Sequence, residues 1–147
     1  MSASTTETVD RETIANDFSE SMRGKLPDHA VEAAVARLQA AETSYPANGS
    51  VASMIFYLRF GVTVTGGKNF QGDAGGLSTP GGGALFGDVY TDNLARLYSD
   101  TRSFQFTATP VYTSLLFFDG SSNLLGHFQA GAVSTVTGTG GGTGSWS

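Results

Sequence analysis

The chain has 147 residues, a formal net charge of −5, 20 glycines and no cysteine. That length suits a single domain, and without cysteine neither disulfides nor thiolate–metal chemistry is available. No basic cluster exists to neutralise phosphates, which argues against nucleic acid, and no run of about 18 apolar residues offers a membrane-spanning helix.

Charge and glycine are unevenly placed. Residues 1–48 carry eight acids and four bases; residues 49–147 carry five acids, four bases and 19 of the glycines. Residues 1–48 are therefore read as a polar N-terminal segment, disordered and then helical, and residues 49–147 as an all-β core domain. The first two dozen residues are rich in Ser, Thr, Glu and Asp, a composition that favours disorder. Ile14, Phe18 and Met22 fall at i, i+4 and i+8 and make a narrow competing helical stripe. Pro27-Asp28 opens a helix over about 28–42, with Asp28 as cap and Val31, Ala34, Val35, Leu38 and Ala41 on one face. That face is thin and Ala-rich, so the helix is expected to pack weakly or project. Tyr45-Pro46-Ala-Asn-Gly49 stops it.

The β region is expected after Gly49. Val51 to Phe60 is densely apolar and Val62 to Thr65 continues it, with Gly61 marking a bulge or bend. Asp73 to Gly83 is too glycine-rich for a good strand interior and reads as loop or short edge pairing. Ala84 to Thr91 is a strand, and Thr91-Asp92 caps a helical turn carrying Leu94, Leu97 and Tyr98. Ser103 to Thr109 alternates cleanly. Val111 to Phe118, the turn Asp119-Gly-Ser-Ser-Asn123 and Leu124 to Gly131 form a hairpin around which the domain is organised. Gly120 is expected at positive φ. Ala132 to Thr137 is a last strand that dissolves into Gly138 to Gly144, with Trp146 folding back as a plug. Seven to nine short strands at this spacing indicate one barrel or sandwich.

The chemistry-bearing residues give a sparse census. Gly81 to Gly87 lacks the Lys-Ser or Lys-Thr of a phosphate loop and enters a strand. Asp119-x-Ser121-x-Asn123 resembles the start of a calcium loop, but the sixth position is Leu124 and the twelfth Ala130. His29 and His127, without an acidic cluster, make no zinc site, and no serine sits in a nucleophile elbow. The residues point to a non-enzymatic β domain with no catalytic, cofactor-binding or metal-ligating residue to name, and no cofactor.

Five segments, in order, carry a resemblance: Gly72-Asp-Ala-Gly-Gly-Leu77; Ala95-Arg-Leu-Tyr-Ser-Asp-Thr101 leading into Ser103-Phe-Gln-Phe106; Phe117-Phe-Asp119; Leu125-Gly-His-Phe-Gln-Ala-Gly131; and Gly144-Ser-Trp146. From about Gly49 to Trp146 the chain resembles the virulence-associated protein (Vap) family of rhodococci. The resemblance implies a compact eight-stranded antiparallel Greek-key barrel with a short helix, its interior filled by side chains. It also implies a secreted factor acting in the host macrophage phagosome and supporting intracellular survival. Met1 to Asp10 shows no signal peptide, so a mature form is expected. The expected partner is the phagosomal membrane or a host protein, engaged by a monomer. The competing function is a small-ligand carrier; a hydrolase is disfavoured. Interior filling decides, with Phe56, Phe60, Phe104, Phe106, Leu115, Phe117 and Phe128 expected inside. Membrane contact, if made, would lack a basic anchor. It would instead strengthen as Asp73, Asp88, Asp92, Asp100, Asp119 and His127 take up protons on acidification.

Overall fold

The computed structural model describes residues 15–17, 19–20, 28–39, 43–76, 78–109 and 111–147. Residues 15–17 and 19–20 are helical, while Ile14, Phe18 and Met22 lie outside the described residues. Helix α1 (Asp28–Gln39) starts at the expected Asp28. The strands are β1 (Ser44–Ser53), β2 (Tyr57–Val64), β3 (Asn69–Gly75) and β4 (Gly81–Tyr90). Helix α2 (Leu94–Asp100) precedes β5 (Ser103–Ala108), β6 (Tyr112–Phe118), β7 (Leu124–Ser134) and β8 (Gly138–Trp146).

The eight strands close into an antiparallel barrel in the order β1-β2-β3-β8-β5-β6-β7-β4. Read around the barrel, this is 4-1-2-3 followed by 8-5-6-7. In the first run the fourth strand lies beside the first, the order that defines a Greek key. The second run repeats the pattern with β8 returning beside β5.

Inward positions follow the two-residue period. Phe60, Phe70, Phe104, Phe106, Leu115, Phe117 and Phe128 are all essentially inaccessible. Ring centroids of neighbouring phenylalanines lie 4.9 to 5.6 Å apart, mostly edge to face, the arrangement that aromatic quadrupoles favour. Trp146 ends β8 buried against Phe70 and Phe117. It closes the core as the last residue of a strand, without folding back. Leu97 of α2 joins the same core, so this helix covers one end of the barrel.

Several expectations are corrected. The first strand begins at Ser44, before Gly49, and Tyr45 to Gly49 is strand instead of helix stop. Pro46 is tolerated because it precedes the run where β1 pairs with β2, from Ala47 onward. The apolar run Val51 to Phe60 is broken by a turn at 54–56, which leaves Phe56 exposed. Gly61 sits in regular register between Ser50 and Gln71, so no bulge falls there. The observed irregularity lies between Phe117 and Phe118 in the β6–β7 pairing.

The largest correction concerns glycine. Asp73 to Gly75 belongs to β3, Gly81 to Gly83 to β4, and Gly138 to Gly144 forms most of β8. In β8 the inward positions before Trp146 are glycines, opposite Phe104, Phe106 and Gly72. A Cβ on Gly144 would lie 2.5 Å from the Phe70 ring, and one on Gly140 3.0 Å from Phe106. Side-chain-free backbone on one wall makes room for large rings from the others, the small–large complementarity of narrow barrels.

Helix α1 does not project. The outward side chains Tyr112, Leu116, Phe118 and Leu124 form a second apolar cluster with Ala15, Ala34, Val31 and Val35. This explains why every residue of β6 is buried: one face looks into the barrel, and the other lies under the N-terminal helical segment.

Candidate interaction surface

The residues weighed for chemistry are used structurally. His127 faces outward on β7, opposite Leu116 and Tyr90 of the flanking strands, and is fully buried. Tyr90 stacks on its ring at 5.1 Å, and Gln129 Nε2 donates to its Nδ1 at 3.0 Å. It therefore lies beneath the surface and not on it. Ser114 pairs across from Gln129 on the same face, a buried polar row that no local sequence signal marks. His29 falls in the first turn of α1, remote in sequence from His127.

Asp119 organises the β6–β7 turn. Its Oδ1 accepts from Ser121 N and Asn123 N, both at 2.9 Å, and its Oδ2 accepts from Asn123 Nδ2 at 3.1 Å. Burial works against the charged form, but these hydrogen bonds and nearby Arg96 outweigh it and hold the carboxyl below its ordinary value. The calcium-like spacing is thus an Asx-type turn. Positive φ falls on Ser122 (63°), and Gly120 is not in that region, contrary to expectation. The bonds from Asp119 set the chain reversal and place the left-handed residue two positions later. Gly81 to Gly87 lies within β4, with no helix following directly to receive a phosphate.

Helix α2 is capped by Asn93, whose side chain accepts from Arg96 N at 3.0 Å. Thr91, expected to cap, is buried instead and donates to Leu125 O at 2.8 Å.

The two ends of the barrel differ in kind. At the α2 end, the connecting segments 65–68, 91–102 and 119–123 carry Lys68, Asp92, Arg96, Asp100, Arg102 and Asp119. Among the described residues, 54–56, 76, 78–80, 109, 111 and 135–137 lie at the opposite end, and the connecting segments they belong to contain no Asp, Glu, Lys, Arg or His. Pairings of Ser53 with Gly81, Tyr57 with Gly75, and Ala108 with Thr113 and Gly138 place these four segments together.

The uncharged end presents Met54 and Phe56, each 71% exposed, and Val111, 70% exposed. Ile55 between them has φ 76°, a region β-branched residues rarely enter. Ser78 holds it there: Ser78 N and Oγ both donate to Ile55 O, at 2.8 and 3.1 Å, and Ser78 Oγ lies 2.6 Å from Ser53 Oγ. Below this tip, Tyr57 OH donates to Asp73 Oδ1 at 2.7 Å and Arg59 Nε to the same oxygen at 3.1 Å. The tyrosine first, then the arginine, lower the Asp73 pKa. Nothing in composition flagged this surface, because Met54 to Phe56 reads as core.

On the outer wall, Gly49, Gly61, Asn69 and Gln71 help line an open, shallow groove of about 420 Å³. Among the described residues, no helix is long and apolar enough to cross a membrane.

Comparison with known proteins places this geometry. The family model described as Rhodococcus equi virulence-associated protein matches residues 4–147. The chain is similar to the solved structure of virulence-associated protein VapD from the intracellular pathogen Rhodococcus equi. The two are 42% identical, with 74% of this chain and 100% of VapD covered and a TM-score of 0.71. It is also similar to VapB from the same organism, with 50% identity, 73% of this chain and 98% of VapB covered, and a TM-score of 0.69. No curated protein sequence matches it.

Proposed function

The chain belongs to the Rhodococcus equi virulence-associated protein family, and from that premise we propose that it is a secreted, non-enzymatic effector that supports bacterial survival in the macrophage phagosome. Its role is virulence-associated. The effector works as a monomer through its outer surface, by contact with the phagosomal membrane or a host protein.

The observation that carries this reading is the filled interior. Six phenylalanines of the barrel are 1% exposed or less, the rings of five of them (Phe60, Phe70, Phe104, Phe106, Phe117) in contact, and Trp146 and Leu97 join the same core. A carrier needs a pocket of roughly 300 Å³ or more inside the walls, the space these rings occupy. Surface chemistry then remains as the means of action. Two acids there are committed: Asp119 to its turn, and Asp73 to Tyr57 and Arg59.

The test is survival in macrophages of bacteria lacking the chain, with and without purified full-length protein supplied from outside. Reduced survival that the supplied protein restores is the expected result. Unchanged survival without the chain would contradict the reading.

A further inference from the structure

We infer that the uncharged end of the barrel, with Met54 and Phe56 at its tip, inserts shallowly into a lipid bilayer. This deepens the effector reading above and rests on it. Three observations favour lipid over a protein partner.

The first is charge. All four connecting segments at this end lack ionisable side chains, and the Asp17 carboxylate that reaches Tyr112 beside Val111 accepts from the tyrosine hydroxyl; the segments of the other end carry three bases and three acids (Lys68, Arg96, Arg102 against Asp92, Asp100, Asp119). Specific protein contacts are rimmed by polar and charged groups that fix partner and register. A hydrocarbon surface demands the opposite, since every ionised group carried into it is costly.

The second is hydrogen bonding. In lipid the backbone must satisfy itself. At the tip its N–H groups are paired: Met54 N donates to Tyr57 O, Ile55 N to Ser53 Oγ and Phe56 N to Met54 O. Val111 N, on the neighbouring loop, donates to Thr109 Oγ1. These donors are already spent, so the tip needs no acceptor from a partner.

The third is shape and level. The tip projects from the barrel instead of forming a groove, and its left-handed Ile55 is pinned by Ser78, so the conformation is pre-formed. Tyr57 lies just behind it, 39% exposed, with its hydroxyl on Asp73. Tyrosine with an apolar body and a polar end suits the headgroup level. Arg59 and Asp73 pair two register positions further from the tip.

Burying one such side chain changes a partition coefficient by about tenfold or more. Co-sedimentation of the full chain with phosphatidylcholine vesicles, at low and high salt, reads this directly. Wild type is expected to bind at both. The double variant Met54→Ser/Phe56→Ser should lose about tenfold or more, and Phe86→Ser, which removes an exposed ring from the barrel wall, should bind as wild type does. An independent readout uses Phe56→Trp with brominated lipid: the introduced tryptophan is expected to be quenched, while buried Trp146 near the opposite end is spared. No binding of wild type, binding that needs anionic lipid and vanishes in salt, or an unquenched introduced tryptophan would each overturn the inference. Rescue of macrophage survival by a chain that does not bind vesicles would overturn the lipid tip and leave the effector reading standing. Vesicle binding without rescue would do the reverse.

Discussion

Ile55 holds a backbone conformation, φ 76°, that costs an L-residue about 1–2 kcal/mol. Replacing it by glycine should therefore raise stability by about 1 kcal/mol in urea denaturation; a loss would mean that its side chain packs more than its exposure suggests. Asp119 carries the opposite kind of local term. Asp119→Ala removes three hydrogen bonds from a half-buried turn and should cost about 1–3 kcal/mol. Because its pKa is depressed in the folded state, the charged form is what the fold stabilises. That contribution is present above the unfolded value of about 3.9 and is lost as pH falls through the folded value. Asp119→Asn should accordingly flatten the acid limb of the stability curve below about pH 4, followed by urea midpoints from pH 2 to 7. An unchanged acid limb would remove the carboxylate from this role. Residue-level chemistry was only partly legible beforehand: Asp-Gly announced a turn, but which residue takes positive φ depended on how Asp119 spends its acceptors.

Strands β5, β6 and the first half of β7 were legible because their side chains alternate and turn residues bound them. Strands β3 and β8 were not. Their glycines have no side chains to alternate, and the reason for glycine lies in phenylalanines far away in sequence. Gly142 is excluded from carrying a side chain by backbone instead, since a Cβ there would lie 1.9 Å from the Asp73 carbonyl oxygen of the neighbouring strand. Gly142→Ala should cost about 3 kcal/mol or more, the range of severe overpacking. Gly75→Ala, whose Cβ would meet nothing within 4 Å, should change stability by less than about 0.5 kcal/mol; comparable losses at both would contradict the packing account. The turn at 54–56 escaped notice for the converse reason, as three apolar residues without glycine or proline give no sign of reversal. Helix α1 was placed well but its partner was not, because its thin, Ala-rich face gave no sign of the apolar outer face of β6 that it covers. Ala34→Asp should test that partnership: an acid pressed against Leu116 and Phe118 should cost about 1–3 kcal/mol by chemical denaturation, whereas a projecting helix would register no change.

At the scale of the whole molecule, the barrel is a solid body with unlike ends. One end is closed by α2 and Trp146 and dressed with charges of both signs; at the other, the connecting segments carry no ionisable side chain and the tip is apolar. Family membership establishes association with virulence, and the solid interior turns attention to the surface as the means. Of the groups named for an acid switch, His127 is buried and the carboxyls of Asp73 and Asp119 are held below their ordinary values. The central claim is that the chain acts by its surface and carries nothing inside. Native mass spectrometry of the full chain, equilibrated with an aqueous small-molecule extract of macrophages, tests it most directly. The account predicts the mass of the bare chain; a one-to-one small-molecule adduct that persists on dilution would contradict it.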